Sequence, residues 1–164
     1  MGALNMGFGE RAIAAVNWQA LEISGGSTAD DLPAALLALF RSATSAEAEQ
    51  VWWKSFENKV FAQNTIYGAA EATINVLLAA LADERPQHVR VLILELLFFL
   101  LNGGSDDDPT LAERCRDQAR LGLWLLAREA RVSSGLAQED ALEVIEIIDP
   151  QRAALVRDAL ASSQ

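Results

Sequence analysis

Few residues in this chain are able to do chemistry. His88 is the only histidine and Cys115 the only cysteine among 164 residues. A Ser/His/Asp or Cys/His unit would therefore have to be assembled around His88 alone, and no spacing joins it to Cys115. Cys115 lies among helical residues and reads as a small packing side chain rather than a reactive thiol. His88 reads as a water-exposed residue at a helix start. No His/Cys cluster has zinc spacing, and no Glu-x-x-His pair offers a di-iron site. Asp106, Asp107 and Asp108 could catch a hard cation, but the remaining ligands of a calcium loop are missing. A helix N-cap with solvated charge accounts for the three aspartates more simply. The Gly25-Gly26 and Gly103-Gly104 pairs lack the strand–glycine–helix setting of a phosphate site. The expectation is a protein with no catalytic residue, no metal and no cofactor.

Binding chemistry is better represented. Glu139, Glu143 and Glu146 recur at i, i+4 and i+7, on one stripe of a helix, with Asp140 beside them. Like charges at that spacing cost about 0.3 kcal/mol per pair, so the stripe is either a plain solvated face or one that serves a partner. Trp52 and Trp53 point about 100° apart on a helix, so one of them can reach the surface, where tryptophan favours binding hot spots. Trp53 is the candidate, and Tyr67 a second aromatic anchor. The Asp106, Asp107, Asp108 loop adds to the acidic attraction. Net charge is −10, from 23 carboxylates against 13 lysines and arginines. That sign repels phosphate backbones and anionic lipid, so nucleic acid and membrane are poor partners and a basic protein is a good one.

The elements that must position these residues are helical. With 51% hydrophobic residues and only four prolines, the composition is that of an all-α domain with a sizeable core. Its centre is residues 89–101, reading VRVLILELLFFLL, apolar except for Arg90 and Glu95. This run is too short for the ~20 apolar residues of a membrane span, and a carboxylate sits in its middle. It reads as a buried central helix stopped by Asn102-Gly103-Gly104. Before it, Asp31-Leu32-Pro33 opens one helix, Thr44-Ser45-Ala46-Glu47 has capping-box spacing for another to about residue 60, and residues 66–82 form a third. After it, Asp108-Pro109 starts a long helix to about residue 132, and two short helices follow, at 138–148 and from Asp149-Pro150 onward. The spacing predicts about seven or eight helices and no strand, in one domain with an irregular segment at 1–30 and helix pairs over 31–164.

The pairs are 31–42 with 45–60, 66–82 with 86–102, and 109–132 with 138–148. Their period of roughly 35 to 45 residues is that of HEAT and armadillo units, which predicts an αα-superhelix, with an irregular bundle as the rival. The first ten residues, MGALNMGFGE, lack the basic start and apolar core of a secretory signal, and Met6 stands where a myristoylation motif wants Ser or Thr. Together with the lone cysteine this predicts a cytoplasmic protein.

Three landmarks carry a family resemblance. They are Asn17-Trp18 with the glycine-rich turn and Asp31-Leu32-Pro33-Ala34-Ala35-Leu36; the run from Phe61-Ala62-Gln63-Asn64-Thr65-Ile66-Tyr67-Gly68 into Val76-Leu77-Leu78; and the Leu-rich helix ending in Asn102-Gly103-Gly104. Together, over about half the chain, they resemble bacterial HEAT-repeat-like proteins. In that group a Gln-Gly-Ser/Thr-Val-Tyr run joins two helices, and the next helix carries Pro-Phe-Leu-Leu. Asn64 here replaces the glycine, and Asn75-Val76-Leu77-Leu78 replaces the proline version. The resemblance implies a cytoplasmic binding protein, several members of the group acting as immunity partners of secreted antibacterial toxins. An immunity protein that covers a cognate basic toxin, such as a nuclease, is the expected function. Two other classes stay open. One is a HEAT-like DNA glycosylase, for which Trp124 beside Arg114, Arg116, Arg120, Arg128 and Arg131 is the basic candidate, interleaved with Glu113, Asp117 and Glu129. The other is a regulatory scaffold that binds a peptide.

Overall fold

A computed structural model describes residues 6–164 and builds them as an all-α fold. The helices are α1 (Phe8–Ala14), α2 (Leu32–Phe40), α3 (Ser45–Ser55), α4 (Ala70–Ala82), α5 (Gln87–Asn102), α6 (Leu111–Arg120), α7 (Leu123–Val132), α8 (Leu136–Ile148) and α9 (Pro150–Ala161). Nine helices among the described residues exceed the expected seven or eight, for two reasons. The short helix that residues 10–15 allowed within the irregular segment is formed as α1, and the long helix expected over 109–132 is broken into α6 and α7. The expectation about the first ten residues falls in part on residues 1–5, which lie outside the described ones.

The break at Leu121-Gly122 was hidden because the apolar period Leu111, Cys115, Ala119, Gly122, Leu126 runs through it without a slip. Gly122 sits at the corner, and a Cβ there would come within 2.8 Å of Leu78 Cδ2. The bare glycine lets the α6–α7 corner press onto α4.

The expectation of no strand is corrected on a small scale. Residues 56–69 leave the helix early and form an antiparallel hairpin, β1 (Phe61–Ala62) with β2 (Thr65–Ile66), pairing Phe61 with Ile66 and Ala62 with Thr65. Gln63 turns it with φ 52°, and Asn58 leads into it with φ 59°. The hairpin is stitched to the loop after α5, where Ile66 N–H donates to Gly104 O (2.9 Å) and Gly104 N–H to Asn64 O (2.8 Å). The second and third landmarks of the resemblance thus touch each other. A Cβ on Gly103 would collide with Ile66 Cγ2, which is why the α5 stop needs glycine at that place.

Helix α5 is the spine. Val89, Leu92, Ile93, Leu94, Leu96, Leu97, Leu100 and Leu101 are buried, and the helix touches α3, α4, α6 and α8. Consecutive helices pack as hairpins, α2 with α3, α4 with α5 and α7 with α8, while α3, α5 and α8 follow one another as neighbours. One continuous buried cluster runs from Ile13 to Val156. Burying a leucine is worth about 2 kcal/mol, so this cluster supplies the dominant stabilising force.

Polar ties lock the ends. Glu47 N–H donates to Thr44 Oγ1 (3.2 Å), while Glu47 reaches back to Ala43 N–H (2.9 Å), completing a cap at the start of α3. Asp149 accepts from Arg152 N–H (3.0 Å) at the start of α9. Asp83, after α4, accepts from the N–H groups of Phe8 and Gly9 at the start of α1. Burial pushes the Asp83 carboxyl up, but the Gly9 and Phe8 N–H groups and Arg85 outweigh it and hold it below the usual range. Glu129, 1% exposed, is clasped by Arg90 of α5 through Nε (2.8 Å) and Nη2, which joins α5 to α7. No helix among the described residues is long and apolar enough to cross a membrane.

Candidate functional site

The row α3, α5, α8 presents a shared outer face. Glu49 and Trp53 lie one turn apart on α3; Glu95, Phe98 and Phe99 stand half-buried on α5; Glu139, Asp140 and Glu143 follow on α8. The face is acidic at its centre. Burial first, then the charges of Asp140 and Glu49, push the Glu95 carboxyl above its usual range. Burial, then Glu143 and Glu139, does the same to Asp140. Among the described residues none of these five carboxylates pairs with a cation. Carboxylates crowded without counter-charge store electrostatic energy that a cationic partner releases.

An aromatic wedge backs the acidic centre. Trp52 is 3% exposed and Trp53 61%, so the adjacent pair divides as the 100° step requires. The two rings meet edge-on at 5.0 Å; Trp52 then contacts Phe61 at 5.7 Å and Phe99 at 5.6 Å, and Phe61 stacks on Phe99 at 5.2 Å. Trp53 is therefore an exposed ring on a rigid base, which lowers the entropy lost when a partner covers it. The Nε1 of buried Trp52 makes no hydrogen bond among the described residues.

The other candidate residues fall as follows. Tyr67 is half-buried where the chain leaves the hairpin, outside the ring cluster. Glu146 is exposed and faces Arg157 of α9 at 3.9 Å, so part of its charge is answered within the chain. Asp106 and Asp107 are exposed on the α5–α6 loop and make no ion pair among the described residues. Asp108 is tied down by Arg114 (3.1 Å) and by the N–H and hydroxyl of Thr110. Those bonds hold its carboxyl below the usual range, Arg114 contributing most. Instead of capping a helix that begins at Pro109, Asp108 stabilises a turn, and α6 starts at Leu111.

The arginines of α6 are engaged with carboxylates. Arg114 holds Glu71 (3.0 Å) as well as Asp108, Arg116 faces Glu113 (3.7 Å), and Arg120 holds Glu113 (3.0 Å) and donates to Ile148 O (2.7 Å). The α6–α7 corner separates them from Arg128 and Arg131, so the five do not share one helix face. Trp124 is 62% exposed on α7. His88 Nε2 donates to Ser42 O at 2.8 Å. Cys115 is buried, and burial pushes its thiol up to about 12, so it carries little thiolate at neutral pH. Among the described residues, no three His, Cys, Asp or Glu side chains are grouped to hold a metal ion.

No family model matches this chain, and neither a protein of described function nor a solved structure does. Function therefore rests on the residues themselves and on the resemblance described above.

Of the residues that the sequence singled out, Trp53, Glu139 and Glu143 lie on this face; Glu49 and the position of Glu95 at its centre were not anticipated. Glu95 stood out as the lone carboxylate in an apolar helix. What it faces depends on α3 and α8 flanking α5, a relation between helices distant in sequence.

Proposed function

We propose that this chain is a protein-binding module that receives a basic partner on the α3/α5/α8 face, and that it serves as a cytoplasmic immunity protein against a secreted antibacterial toxin. In this reading the helix hairpins stack as an αα-superhelix of HEAT-like units. The supporting observation is the set of five carboxylates without counter-charge, centred on half-buried Glu95 and flanked by exposed Trp53. The immunity role itself rests on the family resemblance.

The mechanism follows from the chemistry of that face. Exposed Glu49, Glu139 and Glu143 draw in a cationic surface and raise the association rate. A lysine or arginine of the partner then settles between Glu95 and Asp140, where its charge relieves the repulsion between them. Trp53, on its aromatic base, supplies the buried apolar contact that slows release. Neutralisation is steric: the partner's own active surface is covered, and this chain contributes no chemistry.

The test is capture from lysate of the source cells on immobilised full-length protein at low salt. A single basic protein should be retained, be released by salt, and arrest growth when expressed without this chain. Retention of the same proteins by a Glu49→Lys/Glu143→Lys variant would remove the face from the account. A retained partner harmless to cells would remove the immunity role and leave the binding role standing.

A further inference from the structure

A second surface of opposite character lies on the other flank of α8. Two large apolar side chains stand exposed there: Trp124 of α7 is 62% exposed and, across on α9, Leu155 58%. Between α7 and α9 runs a groove of about 380 Å³, walled by Trp124 and Leu155 and floored by Val156 and Leu160. It continues past Arg131 into a recess of about 450 Å³ that reaches Leu142 of α8. Arg128, Arg131 and Arg157 stand along this path, and no Asp or Glu lines either part. In a chain with ten more carboxylates than cations, a stretch lined by three arginines and no acid is a marked reversal of sign.

The arginines are incompletely used. Arg131 makes no ion pair among the described residues. Arg128 Nη2 donates to Leu81 O (3.2 Å) and lies 3.5 Å from Glu129, but that carboxylate already belongs to Arg90. Arg157 has only the 3.9 Å approach of Glu146, exposed on both sides and therefore weak. The groove thus joins an apolar floor to a cationic rim that is only partly compensated, Arg131 having no ion pair among the described residues.

We propose that the α7/α9 groove docks an amphipathic helix of a partner protein that bears carboxylates along its flank. Along α7, Trp124, Ala127 and Arg131 recur at i, i+3 and i+7 over two helical turns, about 11 Å, which suits two successive apolar anchors of a docked helix. Charge decides between occupants. A basic segment is repelled by the arginine rim, and two copies meeting groove to groove bring the same arginines together with no acid between them. This site is independent of the α3/α5/α8 face, whose partner is basic, and it lets one chain bridge two proteins of opposite charge.

The experiment is selection from a displayed library of random 16-residue peptides on the full-length protein, with counter-selection on its R131E/R157E variant. Peptides that survive should show leucine or aromatic residues at helical spacing and an excess of Asp and Glu. A synthetic survivor should lose at least tenfold in affinity on Trp124→Ala, which is exposed and leaves the core intact, and should bind Glu143→Lys as tightly as the parent. Survivors that are basic or neutral, or no survivors at all, would overturn the proposal. Two further outcomes would also overturn it: a dimer in sedimentation that R131E dissolves, which makes a second copy the occupant, or saturation of the groove by dodecanoate without peptide enrichment.

Discussion

Glu95 of α5 faces Asp140 of α8 across the seam between two neighbouring helices, and neither carboxylate has a cationic partner among the described residues. Partial burial first, and then the charges of Asp140 and Glu49, keep the proton on Glu95 to higher pH than usual. A protein selected for stability alone would place a lysine or a neutral residue at either position.

That arrangement fixes a pH dependence. A carboxyl whose folded-state value is raised binds protons more tightly folded than unfolded. Its favourable contribution is therefore complete below the unfolded value and is lost as pH rises through the folded one. Glu95→Gln should raise the urea midpoint at pH 7.5, and the gain should fade as pH falls toward 4.5. Asp83 and Asp108, held below the usual range, act in the opposite sense, so only the difference between variant and parent is diagnostic. A gain that grows on acidification would show that Glu95 is stabilised as the anion.

The seam between hairpin and spine can be tested with two adjacent glycines. Gly103→Ala drives a methyl into Ile66 and should cost about 2 kcal/mol. At Gly104 an added methyl meets nothing within 4 Å, and Gly104→Ala should stay within about 0.5 kcal/mol of the parent. Equal losses in chemical denaturation would mean that the hairpin does not press on the end of α5.

Burial should separate two arginines that look alike in sequence. Arg90→Met leaves the buried carboxylate of Glu129 with only the 3.5 Å approach of Arg128 and should cost about 3 kcal/mol. Arg114→Met removes exposed pairs with Glu71 and Asp108 and should cost about 1 kcal/mol or less. Thermal unfolding of the two variants gives the comparison directly.

What sequence made legible was whatever a single helix determines. The α5 core, the Thr44–Glu47 cap, the Asp149 cap and the division of Trp52 from Trp53 all follow from local spacing, and each has its structural counterpart. The hairpin at 61–66 was hidden because its cross-strand pairs are two residues long and gain their support from Gly104, some forty positions away. The α6–α7 corner was hidden because its apolar period is unbroken. The acidic centre was half legible: the Glu139/Glu143 stripe is a one-helix pattern, whereas Glu49, Glu95 and Asp140 meet only because three helices lie side by side.

Trp53 should matter to binding and not to folding. Trp53→Ala removes an exposed ring, so stability should change by less than about 1 kcal/mol. Dissociation of the bound partner should accelerate by at least tenfold, as for a buried aromatic anchor. Trp52→Ala, which empties a buried site, should instead cost about 3 to 5 kcal/mol of stability.

The central claim, that the α3/α5/α8 face recruits a basic protein by charge, is tested most directly by association rates of the captured partner at low and high salt. For the parent chain the rate should fall steeply with salt. For Glu49→Lys/Glu143→Lys it should be at least tenfold slower at low salt, nearly independent of salt, and accompanied by a dissociation rate within about threefold of the parent. Identical association rates and salt slopes for parent and variant would contradict the claim.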